Sequence, residues 1–238
     1  MFGRNLFGLA AIGFGVCGFV WPDVALWKAI DLFGDNPFAQ QLLYLTSAVA
    51  IAGGVAIQWP RAARVGALAL GGLYLFFVLL ALPHYVLKPL AFDYVPAISE
   101  DFSMFCGALI VYGGRFSRIA YYGFGVCVIF FALAQVKYLD YTASLVPAWI
   151  PPGQIFWTNA TTFFFILAAI ALLTGRLALL AARLLTAMIV GFGVLVWVPR
   201  CFTNPHKLSN WTEIASNFAI AGAAWIVADY LDRRRSPT

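Results

Sequence analysis

Long apolar blocks separated by short polar connections dominate this chain. Blocks near 5–21, 40–59, 64–83, 117–135, 154–174 and 180–198 match the roughly 20 residues needed to cross a bilayer core. Two shorter blocks, near 98–114 and 211–229, complete a set of eight. The first block has no A-x-A-like cleavage site and runs into Trp21-Pro22, so it reads as a span, not a leader peptide. The fold class expected is an all-α membrane protein. Its eight transmembrane helices form two tandem four-helix repeats in parallel orientation.

The repeat is visible in the residues. At an offset of 116, Pro83 falls on Pro199, Pro89 on Pro205, Ile98 on Ile214, Phe102 on Phe218, Ala108 on Ala224, Ile110 on Ile226 and Val111 on Val227. Closer to the N-terminus the offset shortens: the GFGVC at 13–17 recurs at 123–127, and Lys28-Ala-Ile-Asp31 aligns with Lys137-Tyr-Leu-Asp140. The second copy therefore carries a short insertion, at the loop holding Pro147-Ala-Trp-Ile-Pro-Pro-Gly153. Residues 1–115 and 116–238 are expected to be two copies of one four-span unit. An even span number gives both copies the same orientation.

Charge places the ends. Ten arginines (Arg4, Arg61, Arg64, Arg115, Arg118, Arg176, Arg183, Arg233, Arg234 and Arg235) share one side with only Asp229 and Asp232. The other side holds Lys28, Lys88, Lys137, Arg200 and Lys207 with the remaining eight acids. By the positive-inside rule both termini face the cytoplasm of a bacterial inner membrane. Were the weak fourth block not a span, every later loop would change sides and the separation would vanish.

Composition agrees: 63% of residues are hydrophobic and 11% charged, against roughly 25% charged in soluble domains. The net charge of +5 reports orientation and anionic-lipid contact at Arg233-Arg234-Arg235, with no nucleic acid expected as a partner. Gly13, Gly15 and Gly18 fit G-x-G-x-x-G, but that motif binds phosphate only between a strand and a helix. Inside a span these glycines are read as small residues that let helices approach closely. The N-x-S/T patterns at Asn159 and Asn210 carry little weight, the first lying inside a span.

Candidate chemistry gathers at the outer ends of the third and fourth spans of each half. Arg200, Asn204-Pro-His206, Trp211-Thr-Glu213 and Asn217 lie there in the second half, with Asp140 and Trp149 arriving from the preceding loop. His84, Lys88 and Asp101 occupy the corresponding region of the first half. Arg200, Glu213, His206, Trp211, Asp140, Trp149 and His84 are the candidate ligand-binding residues of an outer mouth. The competing reading is an ion-pair clasp in which Glu213 and Asp140 balance Arg200. Trp197, Trp149 and Trp211 also fit an interfacial aromatic belt, and Lys28/Asp31 and Lys137/Asp140 are expected to form exposed helical pairs. No catalytic residue and no metal site is assigned: two histidines in different halves are a poor haem pair, and Cys17, Cys106, Cys127 and Cys201 contain no C-x-x-C.

The second half resembles a known family. FGVCVIFFALAQ, Leu145-Val-Pro-Ala-Trp-Ile-Pro151, Pro199-Arg200 with Asn204-Pro205-His206, and Trp211-Thr212 together look like the DoxX family of small four-helix membrane proteins. The likeness spans roughly 117–230; the first half resembles it less, with His84 in place of the arginine and no V-P-x-W-x-P loop. The resemblance implies links to membrane oxidoreductase assemblies, some members being similar to the small subunit of thiosulfate:quinone oxidoreductase. Three functions stay open. The favoured one is an accessory subunit of a respiratory or photosynthetic electron-transfer complex, surrounded by membrane lipid and other subunits of that complex. It would lack catalytic activity of its own and line a site for a quinone or bound lipid. The others are a quinone-coupled oxidoreductase subunit of DoxD/DoxX type and a carrier of a small amphipathic solute.

Overall fold

The computed structural model describes residues 2–23, 37–87 and 92–235. Every regular element among them is helical: α1 (Phe2–Val20), α2 (Pro37–Ala56), α3 (Ala63–Leu87), a short 3-10 turn (Phe92–Tyr94), α4 (Val95–Tyr112), α5 (Ser117–Lys137), α6 (Leu139–Leu145), α7 (Gln154–Thr174), α8 (Ala178–Phe192), α9 (Val198–Thr203) and α10 (Leu208–Arg235). A π-helical turn, Gly193–Trp197, joins α8 to α9, so that Ala178–Thr203 forms one span. Eight helices are long and apolar enough to cross a membrane, and they include the two short blocks of the sequence. With no water in a bilayer core, helices close their own backbone hydrogen bonds, which is why an apolar chain takes this form. The protein is multi-pass, and its exposed apolar faces meet lipid.

The spans form a closed ring of neighbours: α1 on α2, α2 on α3, α3 on α4, α4 on α5, α5 on α7, α7 on α8, α8 on α10, and α10 back on α1. Across the middle, α4 packs on α10. Thus the first span of each half lies against the last span of the other.

Contacts fix which ends lie together. At one end Phe2 meets Trp225 edge-on, Arg4 donates to the Gln58 carbonyl, Tyr121 lies beside Tyr230, and Arg183 pairs with Asp232 at 3.5 Å. At the opposite end Trp21 stacks on Trp211, and Arg200 donates to the Ser144 carbonyl. We call the latter the mouth end.

Glycine explains the closest approaches. A Cβ on Gly8 would stand 2.6 Å from the Gly54 carbonyl oxygen, and one on Gly54 the same distance from that of Gly8. Gly15, from the first GFGVC, faces the Ser47 carbonyl in the same way, at 2.5 Å. In hydrocarbon, where lipid solvates apolar side chains as well as protein does, such backbone-to-backbone packing is a main source of helix association. The small-residue reading holds for Gly15 but not for Gly13, where a Cβ would have only Ala215 near it, at 4.0 Å. Both copies of the motif are continuous helix, which leaves no loop to cradle a phosphate. All four cysteines are buried and free of disulfides.

Candidate functional site

Three helical segments carry residues at i, i+3, i+4 and i+7, the spacing that puts side chains on one face. On α5 they are Phe131, Ala134, Gln135 and Tyr138; across the break into α6, Tyr138, Tyr141, Thr142 and Leu145; on α10, Glu213, Ser216, Asn217 and Ile220. All three faces line one cavity of about 420 Å³ at the mouth end, with Pro96 and Glu100 from α4, Phe165 from α7 and Ile189, Phe192 and Trp197 from the seventh span. Phenylalanine and isoleucine side chains supply an apolar part. Two carboxylates, two amides, a serine, a threonine and two tyrosines supply a polar one.

The π-turn sets part of this wall. A regular helix would carry the series Ile189, Phe192 on to Val196. The π-turn, in which the Val198 N–H donates to the Gly193 carbonyl, inserts one residue into the register. Trp197 therefore takes the cavity position, while Val196 lines an adjoining chamber of about 200 Å³. Pro199, which has no N–H to give, sits just beyond the turn and removes one α-helical bond there.

Several polar atoms around the cavity are left with capacity. The Oδ1 of Asn217 is buried without a hydrogen-bond partner, roughly 14 Å along α10 from its start at ~1.5 Å per residue. The Glu213 carboxylate makes no hydrogen bond or ion pair among the described residues. The Gln135 amide meets the hydroxyls of Thr161 and Thr162 at 3.3 and 2.8 Å, and both hydroxyls also reach the Thr158 carbonyl. These contacts hold one end of the amide and leave the other to the cavity. The Asn217 oxygen lies against the π-turn, 2.8 Å from where a Cβ on Gly193 would stand, and an unmatched buried acceptor costs on the order of 1–3 kcal/mol.

The sequence-derived mouth residues separate here. Of the six whose side chains are described, Glu213 alone lines the cavity. Arg200 lies over the Trp197 ring at 5.4 Å and donates to the Ser144 carbonyl at 3.4 Å. It therefore braces α9 against α6 and reaches the cavity only through Trp197. The ion-pair clasp does not form among the described residues: Glu213 is turned inward by its place on α10, and Asp140 is exposed on α6. Lys137 and Asp140 do not pair either, because the helix breaks between them at Tyr138 (φ −111°, ψ 43°). His206 is exposed, and Trp149 is 74% exposed, as an interfacial tryptophan would be. Trp211 donates to the Pro205 carbonyl at 2.8 Å and faces a crevice between α1 and α10. The backbone of His84 belongs to α3; its side chain, with Lys28, Asp31, Lys88 and Pro89, lies outside the described residues.

Of the motifs behind the family resemblance, FGVCVIFFALAQ lies in α5 and ends on the cavity-lining Gln135, while the later ones border loops. Asn210, only 5% exposed, donates from Nδ2 to the carbonyls of Arg200 and Asn204 at 2.9 and 3.2 Å, and so holds the 203–208 connection against α10. Gln154 and Trp157 do the same for the preceding loop through the Val146 and Pro151 carbonyls. Asn210→Ala is expected to lower stability by about 1–2 kcal/mol through these lost bonds, read as a lower unfolding midpoint in detergent, with the cavity-lining residues untouched. An unchanged midpoint would remove the loop role assigned to Asn210.

Glu100, Gln135 and the two tyrosines are the cavity residues that inspection for charged clusters does not single out, whereas Asn217 is among the polar residues at the span ends. Their 3-4-7 spacing within apolar blocks is the signal that finds them. Among the described residues no group of three or more His, Cys, Asp or Glu is placed to hold a metal ion. Searches against protein-family models, curated proteins and solved structures return no match.

Proposed function

We propose that this chain is a membrane subunit without catalytic activity of its own, which holds the head group of a quinone or a similar small amphipathic molecule beside electron-transfer partners. The observation that carries the reading is the mouth-end cavity. Its volume of about 420 Å³ falls in the range of small-molecule sites, and polar side chains ring an apolar interior. A quinone-type head needs both a donor and an acceptor: the Gln135 amide would donate to a carbonyl oxygen, while Glu213 would accept from a hydroxyl. The electron-transfer setting rests on the DoxX resemblance. The exposed apolar faces suit lipid and neighbouring subunits alike.

The pairing of each half's first span with the other half's last span supports taking 1–115 and 116–238 as two copies of one unit. We place the arginine-rich end in the cytoplasm and the cavity toward the opposite face.

Isolation from the native membrane in mild detergent tests this directly. The chain is expected to carry about one extractable quinone per copy and to co-purify with chains bearing haem, flavin, iron–sulfur clusters or pigment. A chain that comes out alone and free of quinone defeats the proposal.

A further inference from the structure

Three spaces lie in series in the second half. The mouth-end cavity shares Gln135, Thr142, Leu145, Phe192 and Trp197 with the 200 Å³ chamber beside it. That chamber in turn shares Trp157 and Thr161 with an apolar crevice of about 580 Å³ between α7 and α8. The crevice opens to the bilayer: Phe164, Leu180 and Leu184 on its walls are 52%, 52% and 61% exposed. Polar lining thins along the series, from two carboxylates and two amides in the first space to the Gln135 amide and three threonines in the second and a single threonine among aliphatic and aromatic side chains in the third.

From this gradient we infer that the second half binds a long-tailed amphiphile that enters sideways from the membrane between α7 and α8, its head in the mouth-end cavity and its tail lying through the middle chamber into the crevice. The inference rests on the head-group reading above and extends it to the tail, the route and the charge of the ligand. Glu213 lines the head cavity without an ion-pair partner among the described residues, so an anionic head such as a phosphate diester meets like charge at short range. An uncharged head with hydroxyl donors meets an acceptor instead: its O–H group would donate to the Glu213 carboxylate, which makes no bond among the described residues. Among quinone-type heads this favours the reduced, dihydroxy form. The tail needs only apolar walls, and the second and third spaces supply them where the bilayer already solvates the rest of the chain.

Gly191 offers a way to cut the series in two. It lines the middle chamber, sits on α8, and a Cβ built there meets no atom within 4 Å. Gly191→Leu therefore fills the chamber without pressing on the backbone of a neighbour.

The test uses the full chain in lipid nanodiscs and two reduced benzoquinone probes, one with no tail and one with a ten-carbon tail, each measured as excess over empty discs. Wild type is expected to bind both. Gly191→Leu should keep the tail-less probe and lose affinity for the decyl probe by tenfold or more, since forcing a tail past a filled chamber costs about 1–3 kcal/mol, and tenfold is 1.4 kcal/mol. If both probes bind the variant as they bind wild type, the passage is wrong while the head site stands. If neither probe binds wild type, the head-site reading itself falls. Should Gly191→Leu lose both probes, Leu184→Trp decides, because it narrows the crevice at an exposed position far from the head. Loss of the decyl probe alone then upholds the passage, and its retention overturns it.

Discussion

Gly222→Leu is expected to unseat α1 from α10 and to cost the chain its folded state in mild detergent. At position 222 a Cβ would stand 2.6 Å from the Phe7 backbone nitrogen and 2.8 Å from its Cα. Those are backbone atoms of a helix, which cannot swing aside as a side-chain tip can, so the whole of α1 must move. A Cβ on Gly3 would stand 2.8 Å from the Ile226 nitrogen on the same interface, and the displaced helix would lose that close approach as well. Overpacking of this kind costs about 1–3 kcal/mol and sometimes more, a large share of the few kcal/mol that hold a domain together. Gly72→Leu makes the control: a Cβ there meets nothing within 4 Å, and replacing glycine within a helix gains up to about 1 kcal/mol. Size-exclusion profiles in detergent should show Gly222→Leu aggregated or dissociated and Gly72→Leu unchanged. A monodisperse Gly222→Leu with wild-type unfolding behaviour would mean that this interface contributes little.

Glu213→Leu is expected to weaken binding of a reduced quinone head about tenfold to a hundredfold while leaving the fold in place. A hydrogen bond to a charged acceptor is worth roughly 1.5–3 kcal/mol, and Glu213 makes no other bond among the described residues whose loss would destabilise the chain. Removing an unpaired carboxylate from a part-buried wall should if anything raise the unfolding midpoint. The two readouts therefore move in opposite directions, a pattern that general damage cannot produce. Unchanged quinone retention in Glu213→Leu would place the head elsewhere. Arg200→Ala makes an instructive companion: it touches Trp197 and the Ser144 carbonyl, so its effect on binding should be smaller and accompanied by some loss of stability.

The eight spans were legible because bilayer physics leaves few options: a block of about 20 apolar residues satisfies its backbone as a helix and needs no tertiary information to be recognised. The fourth span, Val95–Tyr112, was the hard one, since Glu100 and Asp101 dilute its hydropathy; charge separation across the membrane supplied what hydropathy alone did not. The mouth was legible as a region, because the polar residues at the ends of the seventh and eighth spans are conspicuous against so apolar a chain. Which of them face inward was not. Charge draws the eye to Arg200, His206 and Asp140, yet an exposed end offers these side chains water and loop carbonyls, and they take those. Gln135 and Asn217 carry no charge and sit inside apolar blocks; only the rotational phase of their helices turns them toward each other. That phase is shifted within the seventh span by a π-turn that no residue spacing announces, and so the place of Trp197 could not be read in advance.

The extra residue at Gly193–Trp197 also has a consequence for how the seventh span would respond to editing. An α-helix advances about 100° per residue. The π-turn absorbs the extra residue, so deleting one residue from it would let the helix close into regular form with Trp197 still in the cavity position and Arg200 still beside Ser144. Deleting one residue from the regular stretch of α8 would instead turn everything beyond it by that angle and carry Trp197 off the cavity wall. The seventh span is therefore built to tolerate the loss of a codon at Gly193–Trp197 but not within α8.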